Sequence, residues 1–397
     1  MLRRVGICGC AVWLVLSGCS SSSGDDSGAT SSGGTSSQGS GATSNGGSHA
    51  NAGSSSSSGG SHANAGSSSA QAGSTNGSGG PNANGGNSAA AGSTSTAGSA
   101  PVSGDLPVIG GCDIFTADDA WNTSVVDQTV DQAWTTKLQA LVGNVNIHPD
   151  YGDATIGIPI NVVPDAQTKV NVDFDEMEES DQGPYAFPDP ANAKIEGGDL
   201  ANCDGDCHML SVQQGSCLLY EADACSYNGG KWSCFSGAIF DLKKNSYGQR
   251  TKGFTSADAA GLSITAGLVR YDEAAAGAIH HAIRFTVPCT LDKYVKPASH
   301  EAVPTKPPGC ASNPNAVPMG LRVRLDSGIA IPAGASTVAK AVITAMQTYG
   351  MILADNGSSF FFQGESTDMW DDTGDIEPLK KIPASAFKVV QVPPLEP

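Results

Sequence analysis

Residues 237–287 read GAIFDLKKNSYGQRTKGFTSADAAGLSITAGLVRYDEAAAGAIHHAIRFTV, and this stretch decides the fold. Two apolar runs within it, 238–242 and 279–287, have the length and composition of buried strands. The interval between them is rich in Gly, Ser, Asp and Thr, as loops are. Titratable side chains lie densely beside this core-like sequence: Asp241, Asp258, Arg270, Asp272, Glu273, His280, His281 and Arg284. The stretch therefore predicts buried strands with a polar site next to them.

Side chains along a strand alternate between two faces, and this alternation sorts residues 279–287. His281 shares the apolar face with Ile283, which indicates a histidine that belongs to the core. His280 and Arg284 share the opposite, polar face.

A second strand predicted over 319–325 places Arg322 and Arg324 opposite its apolar side chains. If the two strands belong to one sheet, these arginines extend the polar face of His280 and Arg284 into a basic stripe. Such a stripe on an acidic domain suits a ligand with carboxylate, sulfate or sugar hydroxyl groups. The alternative is that the arginines pair with surplus carboxylates on a solvated face.

Short strand-like runs separated by turns rich in Gly and Pro recur along the chain. Residues 208–212 and 217–221 predict a hairpin. Apolar residues at helical spacing predict amphipathic helices over 131–142 and 335–349. The predicted fold class is mainly β, an antiparallel β-sandwich or jelly-roll-like domain with two or three peripheral helices.

The N-terminus has the pattern of an export signal. Two arginines precede an apolar run, 5–16, that is too short to span a bilayer. The LSGC at 16–19 resembles the lipobox of bacterial lipoproteins, which implies a lipoprotein signal peptide over 1–18 and acyl chains on Cys19. The resemblance also implies sorting to the outer membrane, because Ser20 stands where Asp would prevent it. The alternative is an ordinary secretory signal that ends in Cys.

Residues 19–104 consist almost entirely of Ser, Gly, Ala, Asn and Thr. Such a segment buries too little apolar surface to offset chain entropy, so we expect a disordered tether that carries the lipidated Cys19. Residues 105–397 predict a single β-rich globular domain. Its expected location is the cell envelope, lipid-anchored at the outer membrane and surface-exposed.

Charge limits the partners of this domain. The charged residues before residue 105 cancel, so the formal net charge of −18 belongs to residues 105–397. An acidic domain of this kind is a poor match for nucleic acid. The expected partners are the lipid membrane, through Cys19, and a polysaccharide.

The domain contains eight of the 11 cysteines of the chain. An even number in an exported domain predicts disulfides. The first expected pair is Cys289 with Cys310, which would close a Pro-rich loop. Five cysteines crowd between residues 203 and 234, so their pairing stays open.

Zinc is the alternative for two of these cysteines. Cys203, Cys207 and His208 are potential ligands, but their spacing is unlike that of common structural zinc sites. We expect no metal and no other cofactor.

Loop carboxylates are the candidate catalytic groups. Glycoside hydrolysis needs one protonated and one ionised carboxyl beside the scissile bond. Asp258, Asp272 and Glu273 lie in loops near strand-like runs, where sites of β-rich domains open, and His280 could transfer a proton. Each carboxylate also has a structural explanation as a turn cap or a solvated loop residue. The expected substrate-binding residues are Arg284, Arg322, Arg324, His208 and Asp355.

Six strings in the domain resemble an uncharacterised family of exported bacterial proteins: GAIFDL, SADAAGL, GLVRYDE, HAIRFT, MGLRVRL and YGMILADNGSS. This resemblance supports one domain and implies no activity. The leading hypothesis is an envelope lipoprotein that acts on extracellular or cell-wall polysaccharide by glycoside hydrolysis. One alternative is a non-catalytic surface module for carbohydrate binding or adhesion. Another is a lyase acting on an anionic polysaccharide.

Overall fold

The computed structural model describes residues 106–152, 156–198, 200–201, 203, 206–302 and 309–397. The expected signal peptide 1–18 and tether 19–104, including Cys19, lie outside the described residues.

Seventeen short strands form within the described residues. In chain order they are β1 (Val108–Ile109), β2 (Cys112–Asp113), β3 (His148–Asp150), β4 (Ile160–Val163), β5 (Val172–Phe174), β6 (Met209–Gln213), β7 (Leu218–Asp223), β8 (Ser226–Asn228), β9 (Lys231–Cys234), β10 (Ser236–Asp241), β11 (Ile283–Val287), β12 (Thr290–Tyr294), β13 (Val317–Met319), β14 (Arg322–Leu325), β15 (Met351–Asn356), β16 (Phe361–Gln363) and β17 (Phe387–Val389).

Helices contribute less. The described part of the chain contains four α-helices: α1 (Gln132–Val142), α2 (Ile264–Gly267), α3 (Tyr271–Ala276) and α4 (Thr337–Thr348). Three 3-10 turns and a π-helical turn complete the regular structure: Cys310–Ser312, Leu379–Lys381, Ala384–Ala386 and Asp372–Ile376. Strand residues outnumber helix residues, 28% against 17%, which confirms a mainly β fold.

The first four-stranded sheet has the order β11-β15-β14-β17. Strand β11 is the second half of the predicted run 279–287, and both of its faces are buried. Strand β15 separates it from β14, so the strands that carry Arg284 and Arg322 belong to one sheet.

The second four-stranded sheet has the order β10-β7-β6-β4. Strands β6 and β7 pair antiparallel, which confirms the predicted hairpin. Side chains from this sheet, such as Leu219 and Phe240, belong to the same hydrophobic cluster as Phe285 and Leu353 of the first sheet. The two sheets therefore contribute to one core.

Strand direction differs from the prediction of an antiparallel fold. Strand β11 pairs parallel with β15, and β4 pairs parallel with β6. The pairs β3–β16, β5–β9 and β12–β13 are parallel as well. The two strands of each parallel pair are separated by a long stretch of chain. No local sequence pattern therefore predicts their pairing. The sheets are mixed, and the sandwich or jelly-roll arrangement stays a prediction.

Helix α4 forms because small and aliphatic residues repeat at helical spacing after a Ser cap. The Ser336 side chain accepts a hydrogen bond from the backbone N–H of Ala339, which satisfies one free donor of the first turn. Val342, Ile343 and Met346 are fully buried. Lys340 and Thr344, one turn apart, are exposed, so the helix packs one face against the core and leaves the other to solvent.

The described cysteines form four disulfides: Cys112–Cys217, Cys203–Cys207, Cys225–Cys234 and Cys289–Cys310. The last is the pair expected from the sequence. The disulfides indicate that the domain folds outside the reducing cytoplasm. Among the described residues, no helix is both long enough and apolar enough to cross a membrane.

Candidate functional site

Arg284 of β11 lies at the centre of a buried polar group and is only 2% exposed. Its Nε and Nη2 donate to the two carboxylate oxygens of Asp258 at 3.1 and 2.6 Å. Its Nη1 donates to the side-chain oxygen of Gln363. The nearest oxygen of Asp355 lies 3.9 Å from Nη2. We call the set formed by Asp150, Glu196, His208, Asp223, Asp258, Arg284, Asp355 and Gln363 the Arg284 cluster.

Strand pairing brings three members of the cluster to Arg284. Asp150 and Gln363 end β3 and β16 and are partners in that parallel pair. Asp355 lies on β15, the strand next to β11. Asp258 comes from the loop after β10, which is held against β15 by a hydrogen bond from the Ala260 N–H to the Ala354 carbonyl.

His208 connects the second sheet to the cluster. Its Nδ1 lies 2.5 Å from Glu196 Oε2, and its Nε2 lies 3.6 Å from Asp223 Oδ1. The same Nε2 is 3.2 Å from the carbonyl oxygen of Ala257, one residue before Asp258. Because His208 immediately precedes β6 and Asp223 ends β7, the antiparallel pairing of these strands places the two side chains together.

Two carboxyls of the cluster have a raised pKa. Burial raises the pKa of Asp355 well above its ordinary value, and the nearby Asp258 charge raises it further against the opposing effect of Arg284. Burial also raises the pKa of Asp150, with a contribution from the charge of Glu196. Both groups hold protons more tightly than a carboxyl in water.

Asp223 behaves in the same way. Burial raises its pKa to about 6, although the charge of His208 acts in the opposite direction. Glu196 differs, because the charge and hydrogen bonds of His208 outweigh burial and lower its pKa. The cluster therefore contains three carboxyls with a raised pKa and one with a lowered pKa.

The cluster is open to solvent on its acidic side. The side chains of Asp355, Glu196 and Asp223 are 26%, 21% and 18% exposed. Asp258 is fully buried and Arg284 nearly so. The partly exposed carboxyls can therefore contact a ligand, while His208 holds Glu196 and Asp223 in position.

Glu273 and His281 belong to a different group. Glu273 lies 2.6 Å from an Arg270 nitrogen and 2.8 Å from His281 Nε2. His281 is fully buried and its Nδ1 contacts the Ala282 carbonyl at 2.7 Å, which agrees with its assignment to the core. These contacts fix α3 against the residues before β11, which is a structural role.

The other two predicted catalytic residues also lie outside the Arg284 cluster. The Asp272 side chain is 73% exposed, and its carboxylate lies 4.0 Å from Arg270 Nε. His280 precedes β11 rather than lying on it, and its Nδ1 is 3.5 Å from the Tyr349 hydroxyl. The predicted grouping of Asp258 with Asp272, Glu273 and His280 is wrong, because residues 271–276 form a helix instead of a loop.

The predicted basic stripe is also wrong. Arg322 donates to the backbone carbonyls of Thr123 and Tyr349, among others, and Arg324 to that of Val125. The two arginines therefore hold the segment before α1 and the end of α4. Arg284 pairs instead with Asp258. The three guanidinium groups therefore do not form one surface for a ligand.

Sequence reasoning identified Asp258, Arg284, Asp355 and His208 but missed Asp150, Glu196 and Asp223. The missed acids have no motif of their own. Strand pairing places Asp150 beside Gln363, and contacts with His208 hold Glu196 and Asp223. Glu196 lies in a loop, where functional residues are common, but nothing in its local sequence distinguishes it.

Metal binding finds no support in the described residues, where no group of three or more His, Cys, Asp or Glu side chains could hold an ion. Cys203 is bonded to Cys207, so neither sulfur is a zinc ligand and the zinc alternative is wrong. Comparisons with protein-family models, curated proteins and solved structures find no match.

Proposed function

We propose that this chain is a cell-envelope lipoprotein whose domain hydrolyses glycosidic bonds in extracellular or cell-wall polysaccharide. The observation that carries the proposal is the division of the Arg284 cluster into carboxyls with raised pKa and one with lowered pKa. Neighbouring carboxyls whose environments push their pKa values apart are suited to acid and base roles. Glycoside hydrolysis uses such a pair.

Asp355 is the proposed acid and Glu196 the proposed base. The Asp355 carboxyl gives its proton to the glycosidic oxygen as the bond from that oxygen to the anomeric carbon breaks. Glu196 takes a proton from the water that attacks the same carbon, so one water is consumed for each bond cleaved. Burial and the charge of Asp258 both raise the pKa of Asp355, and Arg284 holds Asp258 in place.

The test is hydrolysis of a panel of neutral and acidic polysaccharides by the full mature chain. We expect E196Q and D355N each to reduce turnover by about 100-fold or more, the usual size of general acid–base catalysis. The matched controls E178Q and D292N change exposed acids outside the cluster and should retain full activity. Full activity of E196Q and D355N would refute the assignment.

A non-catalytic carbohydrate-binding or adhesion module is the second candidate. It is supported by the partial exposure of Asp355 and Glu196, which can accept hydrogen bonds from sugar hydroxyls. Polymer binding by the wild-type chain without turnover on any substrate would favour this candidate. The lyase hypothesis receives no support, because Arg284, Arg322 and Arg324 already make contacts within the protein.

Lipid anchoring at Cys19 and surface exposure at the outer membrane are part of the same proposal. They are supported by the LSGC pattern at 16–19 and agree with a disulfide-bonded domain. We expect C19A to move the protein out of the membrane fraction, and we expect protease added to whole cells to degrade the wild-type domain. We further infer that the two four-stranded sheets pack face to face as a sandwich.

A further inference from the structure

A cavity of about 220 Å³ lies apart from the contacts of the Arg284 cluster. Its wall includes Phe240, Tyr294 and five of the residues between 246 and 252. Glu396 closes it near the C-terminus, where its backbone pairs with that of Tyr294 through hydrogen bonds of 3.2 and 2.8 Å. The cavity is therefore built from segments far apart in sequence.

Two residues of the cavity wall have buried hydroxyl groups without a partner. Tyr294 is 2% exposed and Ser246 is 7% exposed. Neither the Tyr294 hydroxyl nor the Ser246 Oγ has a hydrogen-bond partner among the described residues. An unsatisfied buried polar group is destabilising by about 1–3 kcal/mol, so two of them at one cavity call for an explanation.

The charged groups at the cavity are already paired. Lys252 Nζ lies 3.0 Å from a carboxylate oxygen of Glu396. The guanidinium of Arg250 pairs with Asp181. A charged ligand would have to break one of these pairs, whereas the hydroxyls of Ser246 and Tyr294 are free to bond a neutral one.

Two aromatic rings also line the cavity near these hydroxyl groups. Phe240 is buried at the cavity wall, and Tyr247, also in the wall, is 49% exposed. Aromatic faces beside hydroxyl groups suit a ring that has apolar C–H faces and polar edges. The volume exceeds that of an apolar cavity of roughly 150 Å³ that binds benzene, so it has room for one small ring rather than a drug-sized ligand.

The geometry points to a binding site for a single neutral sugar ring in this cavity, separate from the Arg284 cluster. Hydroxyls of the sugar would bond Tyr294 and Ser246 and so satisfy both groups. The site does not depend on the proposed hydrolysis. It shares one segment with the cluster, since Gly261, Leu262 and Ser263 of the wall follow the Asp258 loop directly.

The test is titration of the full mature chain with D-glucose, D-galactose and N-acetyl-D-glucosamine, with binding measured by NMR or calorimetry. We expect saturable binding of at least one of these sugars, and weaker binding of the charged probes D-glucuronate and D-glucosamine. Y294F and S246A should each weaken that binding by about fivefold, the effect of one hydrogen bond. Both variants should fold, because each removes an unsatisfied hydroxyl.

The matched control is Y151F. Tyr151 is buried and its hydroxyl also lacks a partner among the described residues, but it does not line the cavity. Y151F, E196Q and D355N should bind the sugar like the wild-type chain. The proposal is overturned if the wild-type chain binds none of the three neutral sugars, if Y294F and S246A bind as tightly as Y151F, or if the charged probes bind more tightly than the neutral ones.

Discussion

At the residue scale, His208 makes the stability of the protein depend on pH. Burial alone would lower the pKa of His208, but the charge and hydrogen bond of Glu196, with help from Asp223, raise it to about 10. The folded state therefore binds a proton more tightly than the unfolded chain, where the pKa of histidine is about 6.5. The resulting stabilisation is fully present below pH 6.5 and is lost as the pH rises toward 10.

The variant H208Q should remove this dependence. We expect the free energy of unfolding of the wild-type chain to fall by a few kcal/mol between about pH 6.5 and 10, and that of H208Q to change less over the same range. Urea titrations at half-unit pH steps measure both. Glu196 affects stability at acidic pH instead. Because its pKa is lowered in the folded state, the stabilisation it contributes is lost as the pH falls below about 4.5. Parallel pH profiles for the two proteins would contradict the assignment.

The same residues show where prediction from sequence ends. Alternation along a strand assigned Arg284 to a polar face, and the structure confirms that it contacts polar groups. Alternation could not show that the partner of Arg284 is Asp258, or that β11 is covered on both faces. The loop contact that buries Asp258 joins residues with no periodic relation, so only the folded chain reveals it.

At the scale of elements, the N-terminus of α4 is the most informative cap. The Ser336 hydroxyl donates to the Asp375 carboxylate at 2.5 Å and accepts from the Ala339 N–H at 3.1 Å. Asp375 is 4% exposed, and Asp371 also donates to it through its N–H at 2.9 Å. One side chain therefore caps the helix and joins it to the π-helical turn that contains Asp375.

The variant S336A should destabilise the fold by about 1–3 kcal/mol. Loss of a Ser cap accounts for about 1 kcal/mol, and loss of a partner for a buried carboxylate accounts for the rest. Denaturant unfolding measures the change. The control S327A alters an exposed Ser and should stay within about 0.5 kcal/mol of the wild-type value. An equal effect of the two variants would show that the cap contributes nothing measurable.

Elements with strong local periodicity were predictable. The helices expected over 131–142 and 335–349 appear as α1 and α4, within about two residues at each end, as boundary assignments usually are. Residues 267–271 contain the end of α2 and the start of α3. Neither helix was predictable, because both are too short to show a period.

At the scale of the whole molecule, disulfides stabilise an acidic domain whose sheets are built from short strands. Cys112 near the start of the domain is bonded to Cys217 at the β6–β7 turn, and this link closes 105 residues. Cys225 and Cys234 close only nine. All four cysteines are buried, so replacing either pair removes similar packing.

Removing the long link should therefore destabilise the domain more than removing the short one. Loop-closure entropy gives about 5 kcal/mol for the first and about 2.5 kcal/mol for the second. We expect C112A/C217A to lose about 2 kcal/mol more free energy of unfolding than C225A/C234A, measured by denaturant titration without reductant. Equal losses for the two double variants would mean that the unfolded chain is not constrained by the long link, because residual structure already keeps residues 112 and 217 close together.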